Sequence, residues 1–307
     1  MTDWPKVSIV TPSFNQGKFL EKTILSVLEQ DYPNLEYIII DGGSTDNSVE
    51  IIRKYEQHLT YWVSEPDRGQ SHAINKGFER ATGEIFGWLN SDDWYQPGAL
   101  KEVAEAFAAN PDAGAVVGEG AFIDEQGVIT AQGVPEAVTS ETIFRWFQNA
   151  FWQPACFFTR EAWNDCGPLD EELDLAMDLD LWLNMSKRYS FTTIKSMLAV
   201  AVLHPECKTR RQLTESDLLS ISLVVKHGGE AALDPILESY SLRVAETESL
   251  IAKKDDELAD LRTKLVECDA FKSAILNSLS WKATKPIRAL LSNPIGRWLL
   301  KYFLRGQ

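Results

Sequence analysis

Short apolar runs and helix-length amphipathic segments alternate through the first third of the chain. VSIVT (7–11) is rich in β-branched residues and ends at Pro12, and YIIID (37–41) closes on Gly42-Gly43-Ser44. TYWV (60–63) and IFGWL (85–89) repeat the pattern. Runs this short, bounded by Gly, Pro and polar residues, predict buried strands. Between them, 19–30 has helical periodicity. Thr45-Asp46-Asn47 opens a second helix that runs to about Tyr55, with Val49, Ile51 and Ile52 available to the core, and the polar loop EPDRGQ (65–70) leads into a third helix through Ala81. Strands separated by helix-length segments imply right-handed crossovers and a mainly parallel sheet, a nucleotide-binding type of half-domain.

The pattern is less regular afterwards. It predicts a helix over 100–109, a strand over 115–117, and a hairpin pairing 121–123 with 128–131 around Glu125-Gln126-Gly127. Helices follow near 141–147, 178–188 and 212–226, with short strands near 156–158 and 199–203. From Leu237 the period changes to seven: one set is Leu237, Val244, Ile251, Leu258, Leu265, Lys272 and Leu279, its partner set Tyr240, Thr247, Lys254, Leu261, Cys268 and Ile275. Charged residues fill the intervals, as in a coiled coil that could join two copies of the chain; a single amphipathic helix packed on the domain is the competing expectation. The expected organisation is a globular domain over 1–232, a helical or coiled-coil segment over 233–280 and a basic amphipathic tail over 281–307.

Composition narrows the function classes. The 307 residues are 44% hydrophobic and 24% charged, enough for a full core. A net charge of −15 argues against a nucleic-acid binder, since phosphate backbones are gripped by basic surfaces. The tail departs from this: Lys282, Lys285, Arg288, Arg297, Lys301 and Arg305 stand without any Asp or Glu, which leaves −21 on the remainder. With Trp281, Trp298, Tyr302 and Phe303 among them, these residues resemble a segment resting on an anionic membrane surface; a partner-binding helix is the alternative. No apolar run approaches the roughly 20 residues of a spanning helix, 1–6 holds no apolar segment of a signal peptide, and the four cysteines have no CxxC spacing. The expectation is a cytoplasmic protein, peripheral at the inner face of the cell membrane.

The candidate chemistry begins at WLNSDDW (88–94), where an apolar run ends in two adjacent carboxylates. A strand that delivers acids to its C-terminal end places them where open α/β sheets bind ligands. Two neighbouring carboxylates accommodate a hard cation, magnesium or manganese, and such an ion with few protein ligands usually accompanies a diphosphate. A solvated turn capping the next helix would show the same two acids.

Five segments together, VSIVTPSFN (7–15), DGGSTDNS (41–48), EPDRGQSHAINKG (65–77), ATGEIFGWLNSDD (81–93) and MDLDLWL (177–183), resemble the bacterial family 2 glycosyltransferases in order and spacing. The resemblance implies a GT-A fold and inverting transfer from a nucleotide sugar, usually a uridine one, to a saccharide or lipid-linked saccharide acceptor. It implies that Thr11, Pro12, Phe14 and Asn15 line the nucleoside pocket, that Asp41 accepts a hydrogen bond from the base, and that Arg68 with Asp67 closes over base and ribose; a structural ion pair is the alternative for Arg68. The family's Asp-x-Asp appears as Asn90-Ser91-Asp92, so the first acid is missing. Asp92 matches the direct ligand of a divalent cation, Asn90 would meet the sugar or a phosphate, and Asp93 would support the site from behind. Asp178 aligns with the base that deprotonates the acceptor hydroxyl, with Asp180 directed elsewhere. His204 resembles a late metal or diphosphate ligand, although a structural histidine would also fit, and Lys208 and Thr209 suit phosphate oxygens. Trp152 and Gln153 fall where acceptor contacts are expected. A nucleotidyltransferase would ordinarily show a Gly-rich basic loop after the first strand, where only Lys18 stands. A non-catalytic scaffold would be favoured by loss of Asp92 or Asp178, and both are present.

Overall fold

The computed structural model describes residues 4–146, 151–205, 207–208 and 213–277; Thr209 and the 281–307 tail lie outside the described residues. The chain divides into two units, Met1–Leu237 and Glu238–Gln307. In the first, β1 (Val7–Ser13), β2 (Leu35–Asp41), β3 (Tyr61–Ser64) and β4 (Ile85–Trp88) are parallel, in the spatial order β3-β2-β1-β4. Helices α1 (Leu20–Leu28), α2 (Ser48–Tyr55) and α3 (Gln70–Phe78) make the crossovers. Side chains alternate across a strand, so Val10, Ile38, Ile40, Phe86 and Trp88 enter one apolar layer while Val7, Ile9, Tyr37, Ile39 and Ile85 enter the other. Burial on both faces is why these strands read as continuous apolar runs.

The sheet continues beyond β4 through β8 (Cys156–Thr159), β6 (Ala113–Asp124), β9 (Ser190–Leu203) and β5 (Trp94–Tyr95), and β7 (Ile129–Gly133) pairs off β6. Here the pairing is mixed: β6 runs parallel to β9, but β4–β8, β6–β8, β6–β7 and β5–β9 are antiparallel. The parallel character expected for the sheet belongs to its first four strands and to β6–β9.

Helices α4 (Ala99–Ala109), α5 (Ser140–Phe144), α6 (Arg160–Cys166), α7 (Met177–Ser186) and α8 (Leu213–Lys226) complete this unit. The segments expected as separate strands at 115–117 and 121–123 are one strand. Gly118 and Gly120 interrupt its apolar pattern because a Cβ there would lie 2.3 Å from Leu198 and 2.5 Å from Trp152. Close approach of the neighbours requires glycine, and glycine erases the strand signal. β9 is also much longer than expected, and β5 and α6 were not legible. Last comes α9 (Leu233–Asn277), 45 residues long; its first turn packs Ile236 against Val224 and Ala232, and its remainder belongs to the second unit.

Candidate active site

Because β1, β2 and β4 are parallel, their C-terminal ends share one edge, and the loops leaving that edge carry most of the candidate residues. Asn15 adopts a left-handed φ of 53°, and its side-chain oxygen accepts from the Thr45 backbone at 2.8 Å while its own N–H reaches Ser44 Oγ at 2.7 Å. Two loops are thereby stitched together, and Phe14 is left 57% exposed at the rim. Thr11 is fully buried, and its hydroxyl meets Tyr37 Oη at 3.1 Å. Pro12 is buried beside it.

Asp41 is likewise engaged within the protein. It is fully buried, and its oxygens accept from Ser44 Oγ (2.5 Å), Ser64 Oγ (2.6 Å) and the backbone N–H groups of Ser44 (2.9 Å) and Gly43 (3.2 Å). A carboxylate supplied with four internal donors organises its own loop. Asp67 lies beside this loop. It accepts from Gly69 N at 2.9 Å, and its carboxylate occupies the space a Cβ at Gly42 would need, 2.7 Å from Oδ2. Arg68 does not pair with Asp67; its Nε and Nη2 both reach Glu171 Oε2, at 2.8 and 2.6 Å, so the ion-pair alternative holds in this state.

The β4 end forms a polar relay. Gln153 Nε2 donates to Trp88 O at 2.9 Å, Asn90 Nδ2 donates to Gln153 Oε1 at 3.1 Å, and Gln70 Nε2 donates to Asn90 Oδ1 at 2.8 Å. A carbonyl accepts only, so the relay has a fixed direction and each amide a fixed orientation. Ser91 is buried within the turn. Asp92 Oδ2 lies 3.0 Å from His204 Nε2, which brings together two residues 112 positions apart, and the Phe19 ring packs on the imidazole at 4.5 Å. Asp93 is buried behind them: its Oδ1 accepts from Val202 N at 3.3 Å, pinning the end of β9 from which His204 follows. Burial, then the charge of Asp92, pushes the Asp93 carboxyl well above the usual range. Asp93 is thereby disposed to hold its proton behind the site.

Asp178 sits in the first turn of α7. Ala176, just before the helix, holds a left-handed φ of 54°, the kind of backbone strain that clusters at functional positions. Burial raises the Asp178 carboxyl above its ordinary value, with the Leu179 N–H opposing at 2.9 Å. α7 lies against β4 through stacked Trp88 and Trp182, centroids 5.8 Å apart. The preceding segment is fastened to α3: Asn75 exchanges two hydrogen bonds with Leu169, at 2.8 and 2.9 Å, and Ser71 Oγ donates to Leu173 O at 3.2 Å. Lys208, expected at a phosphate, donates to Asp174 O at 3.1 Å. Trp152 is packed inward, its Nε1 on Gly133 O at 2.8 Å and its ring edge-on to Phe122.

The sequence did not signal the anchor on the far side of α7. Asp180 Oδ1 accepts from His227 Nε2 at 2.8 Å and from Lys226 Nζ at 3.1 Å, and Lys187 Nζ lies 2.9 Å from His227 Nδ1. An ammonium only donates, so Nδ1 must accept and Nε2 must carry the proton toward Asp180. The Gln70 and Gln153 links to Asn90 were likewise not signalled, although Gln70 lies in the EPDRGQSHAINKG segment and Gln153 was expected at the acceptor.

A cation would find Asp92 and His204 converging, yet among the described residues no group of three or more His, Cys, Asp or Glu could hold a metal ion. The donor set thus fits a metal only if other oxygens, such as those of a diphosphate, complete the shell.

The chain is similar to several known proteins. The family model described as glycosyl transferase family 2 matches residues 8–162, about half of the chain, and the chain belongs to that family. It is 29% identical over 217 residues to a chondroitin synthase of Escherichia coli, covering 68% of this chain and 30% of that protein. It is 40% identical over 111 residues to the putative teichuronic acid biosynthesis glycosyltransferase TuaG of Bacillus subtilis, 34% of this chain and 43% of the relative. The chain thus spans less than half the length of these relatives. Among solved structures, S. aureus TarS 1–349 in complex with UDP-GlcNAc superposes with a TM-score of 0.58 at 20% identity, over 76% of this chain and 70% of that one. The mannosyltransferase PcManGT of Pyrobaculum calidifontis, in complex with GDP-Man and Mn2+, gives 0.57 at 20% identity over 94% and 85%. The fold is the α/β GT-A type.

Proposed function

We propose that the chain is an inverting glycosyltransferase that moves a hexosyl or N-acetylhexosaminyl group from a nucleotide donor, UDP-linked, to a saccharide or lipid-linked saccharide in surface polysaccharide synthesis. The observation that carries this is the meeting of Asp92 with His204 at the strand edge, in a unit that also holds a desolvated Asp178 at a helix start. The acceptor hydroxyl attacks the anomeric carbon, Asp178 takes its proton, and the bond from that carbon to the diphosphate oxygen breaks, the electron pair leaving with the diphosphate. Asp92 and His204 would hold a magnesium or manganese ion, whose chemistry is to neutralise the departing charge. Lys208 stands ready for phosphate oxygens, and Arg68 would exchange Glu171 for the nucleotide. Asp67, placed against Gly42, takes the base-facing role assigned in sequence to Asp41.

Membership of family 2 and relatives named for chondroitin and teichuronic acid synthesis support the polysaccharide assignment. The basic tail over 281–307 would dock the enzyme on the inner membrane face, where lipid-linked acceptors reside, and 237–279 would serve assembly of copies. Among the described residues no helix is long and apolar enough to cross a membrane. Screening a panel of nucleotide sugars for metal-dependent binding and hydrolysis tests the reading. Asp92→Ala is expected to lose metal-dependent activity and Asp178→Asn to lose transfer; a fully active Asp92→Ala would refute the cation site.

A further inference from the structure

Beyond the globular unit, α9 presents an apolar row to water. Val244, Ile251, Leu258 and Leu265 recur every seven residues and are 39%, 56%, 47% and 64% exposed, joined by Leu261 at 62%. A period of seven is the spacing that keeps one seam facing a partner helix as two helices supercoil. We propose that 237–279 is one strand of a parallel, in-register, two-stranded coiled coil, and that the other strand is a second copy of this chain.

The charges beside the seam select this partner and this direction. With Leu237 opening the heptad, Glu257 and Lys264 hold the position before the first seam residue of a heptad, and Arg262 and Asp269 the position after the second. In a parallel pair these positions face one another five residues apart. Glu257 then meets the partner's Arg262, and Lys264 meets the partner's Asp269, each pair occurring twice by symmetry. The sequence sets Arg243 and Glu248 in the same relation, and no like-charged pair arises at these positions. An antiparallel alignment of the same stretch, with Leu258 opposite the partner's Leu261, keeps two attractive pairs, Asp255 with the partner's Arg262 and Glu257 with the partner's Lys264, but sets Glu248 against the partner's Asp269, two like charges, so the parallel pairing is the better satisfied. β-branched Val244 and Ile251 in the first seam set, with Leu261 in the second, favour two strands over three or four. Lys254 sits in the seam itself and reaches Glu257 Oε2 on its own helix at 2.8 Å. Lys272 is the other charged seam residue in the sequence, and polar seam residues of this kind cost stability but fix register.

Light scattering on the full chain tests the proposal, and the expected mass is that of two copies. Glu257→Lys is expected to weaken the dimer about tenfold, since two attractive pairs become repulsive, and adding Arg262→Glu is expected to restore it. Cys268, in the second seam set, faces its own copy only in the parallel arrangement; opposite Leu258–Leu261 it would face Ile251. Mild oxidation should therefore give a disulfide-linked dimer that Cys268→Ser abolishes. A monomer, an assembly of three or more copies, a dimer without the Cys268 link, or indifference to both charge reversals would each overturn the proposal.

Discussion

Two acidic sites of the same unit are built in opposite ways. At the N-terminal edge, Glu36 is 3% exposed, and burial alone would raise its carboxyl. Instead Lys6 Nζ (2.7 Å), Ser8 Oγ (2.5 Å), Thr82 N (2.6 Å) and Thr82 Oγ1 (2.8 Å) lower it to about 2. At the C-terminal edge Asp93, and in the first turn of α7 Asp178, have few donors, and burial prevails, raising both. A carboxylate saturated with donors stays ionised and fastens structure, whereas one left short of donors retains its affinity for a proton. The contrast separates structural acids from chemical ones without reference to motif.

Substitution should break the two sites in opposite directions. The largest effect is expected from Asp178→Asn: transfer falls about a thousandfold, the scale of a general base, while nucleotide binding by titration is unchanged. Melting of this variant should be unchanged or higher at pH 7, because a group whose carboxyl is raised on folding is destabilising when ionised. For the same reason the acid limb of the transfer profile should lie above that of an ordinary aspartate, since Asp178 works only when deprotonated. Next, His204→Ala should weaken cation-dependent nucleotide binding by about 10–100-fold, as read by calorimetry. Glu36→Gln is the mirror case, expected to cost about 2 kcal/mol of stability with turnover retained per folded molecule. The depressed Glu36 contributes stability above about pH 4.5 that is lost as pH falls toward 2; an acid denaturation curve of the variant should lack that component. The smallest effect is expected at His227. Leucine there removes a donor from Asp180 and should lower kcat about tenfold with little change in donor KM, while glutamine, which can still donate, should retain most of the rate.

The sequence made the parallel half of the fold legible because its strands are buried on both faces and carry a continuous apolar signal. It also marked Asp92 and His204, which the structure joins, and it separated Asp92 from Asp93. Glu36, the Asp180–His227 pair and the links of Gln70 and Gln153 to Asn90 were not marked, although Gln70 and Gln153 were themselves in segments singled out, because each link depends on a contact across 20 or more positions that forms only once strands and helices are placed. Asp41 shows the converse. Its position at a strand tip was readable, but the donors of Gly43, Ser44 and Ser64 that occupy its oxygens follow from the loop's closure around it. β6 was read as fragments because the glycines that let Leu198 and Trp152 approach are the residues that disguise a strand.

The central claim is that Asp92 and His204 form half of a cation site that a nucleotide diphosphate completes. Calorimetric titration of Mn2+ into the full chain, with and without UDP, addresses it most directly. Weak binding without UDP, tight binding with it, and loss of the tight phase in Asp92→Ala are expected. Tight binding in the absence of nucleotide, or an undiminished tight phase in Asp92→Ala, would contradict it.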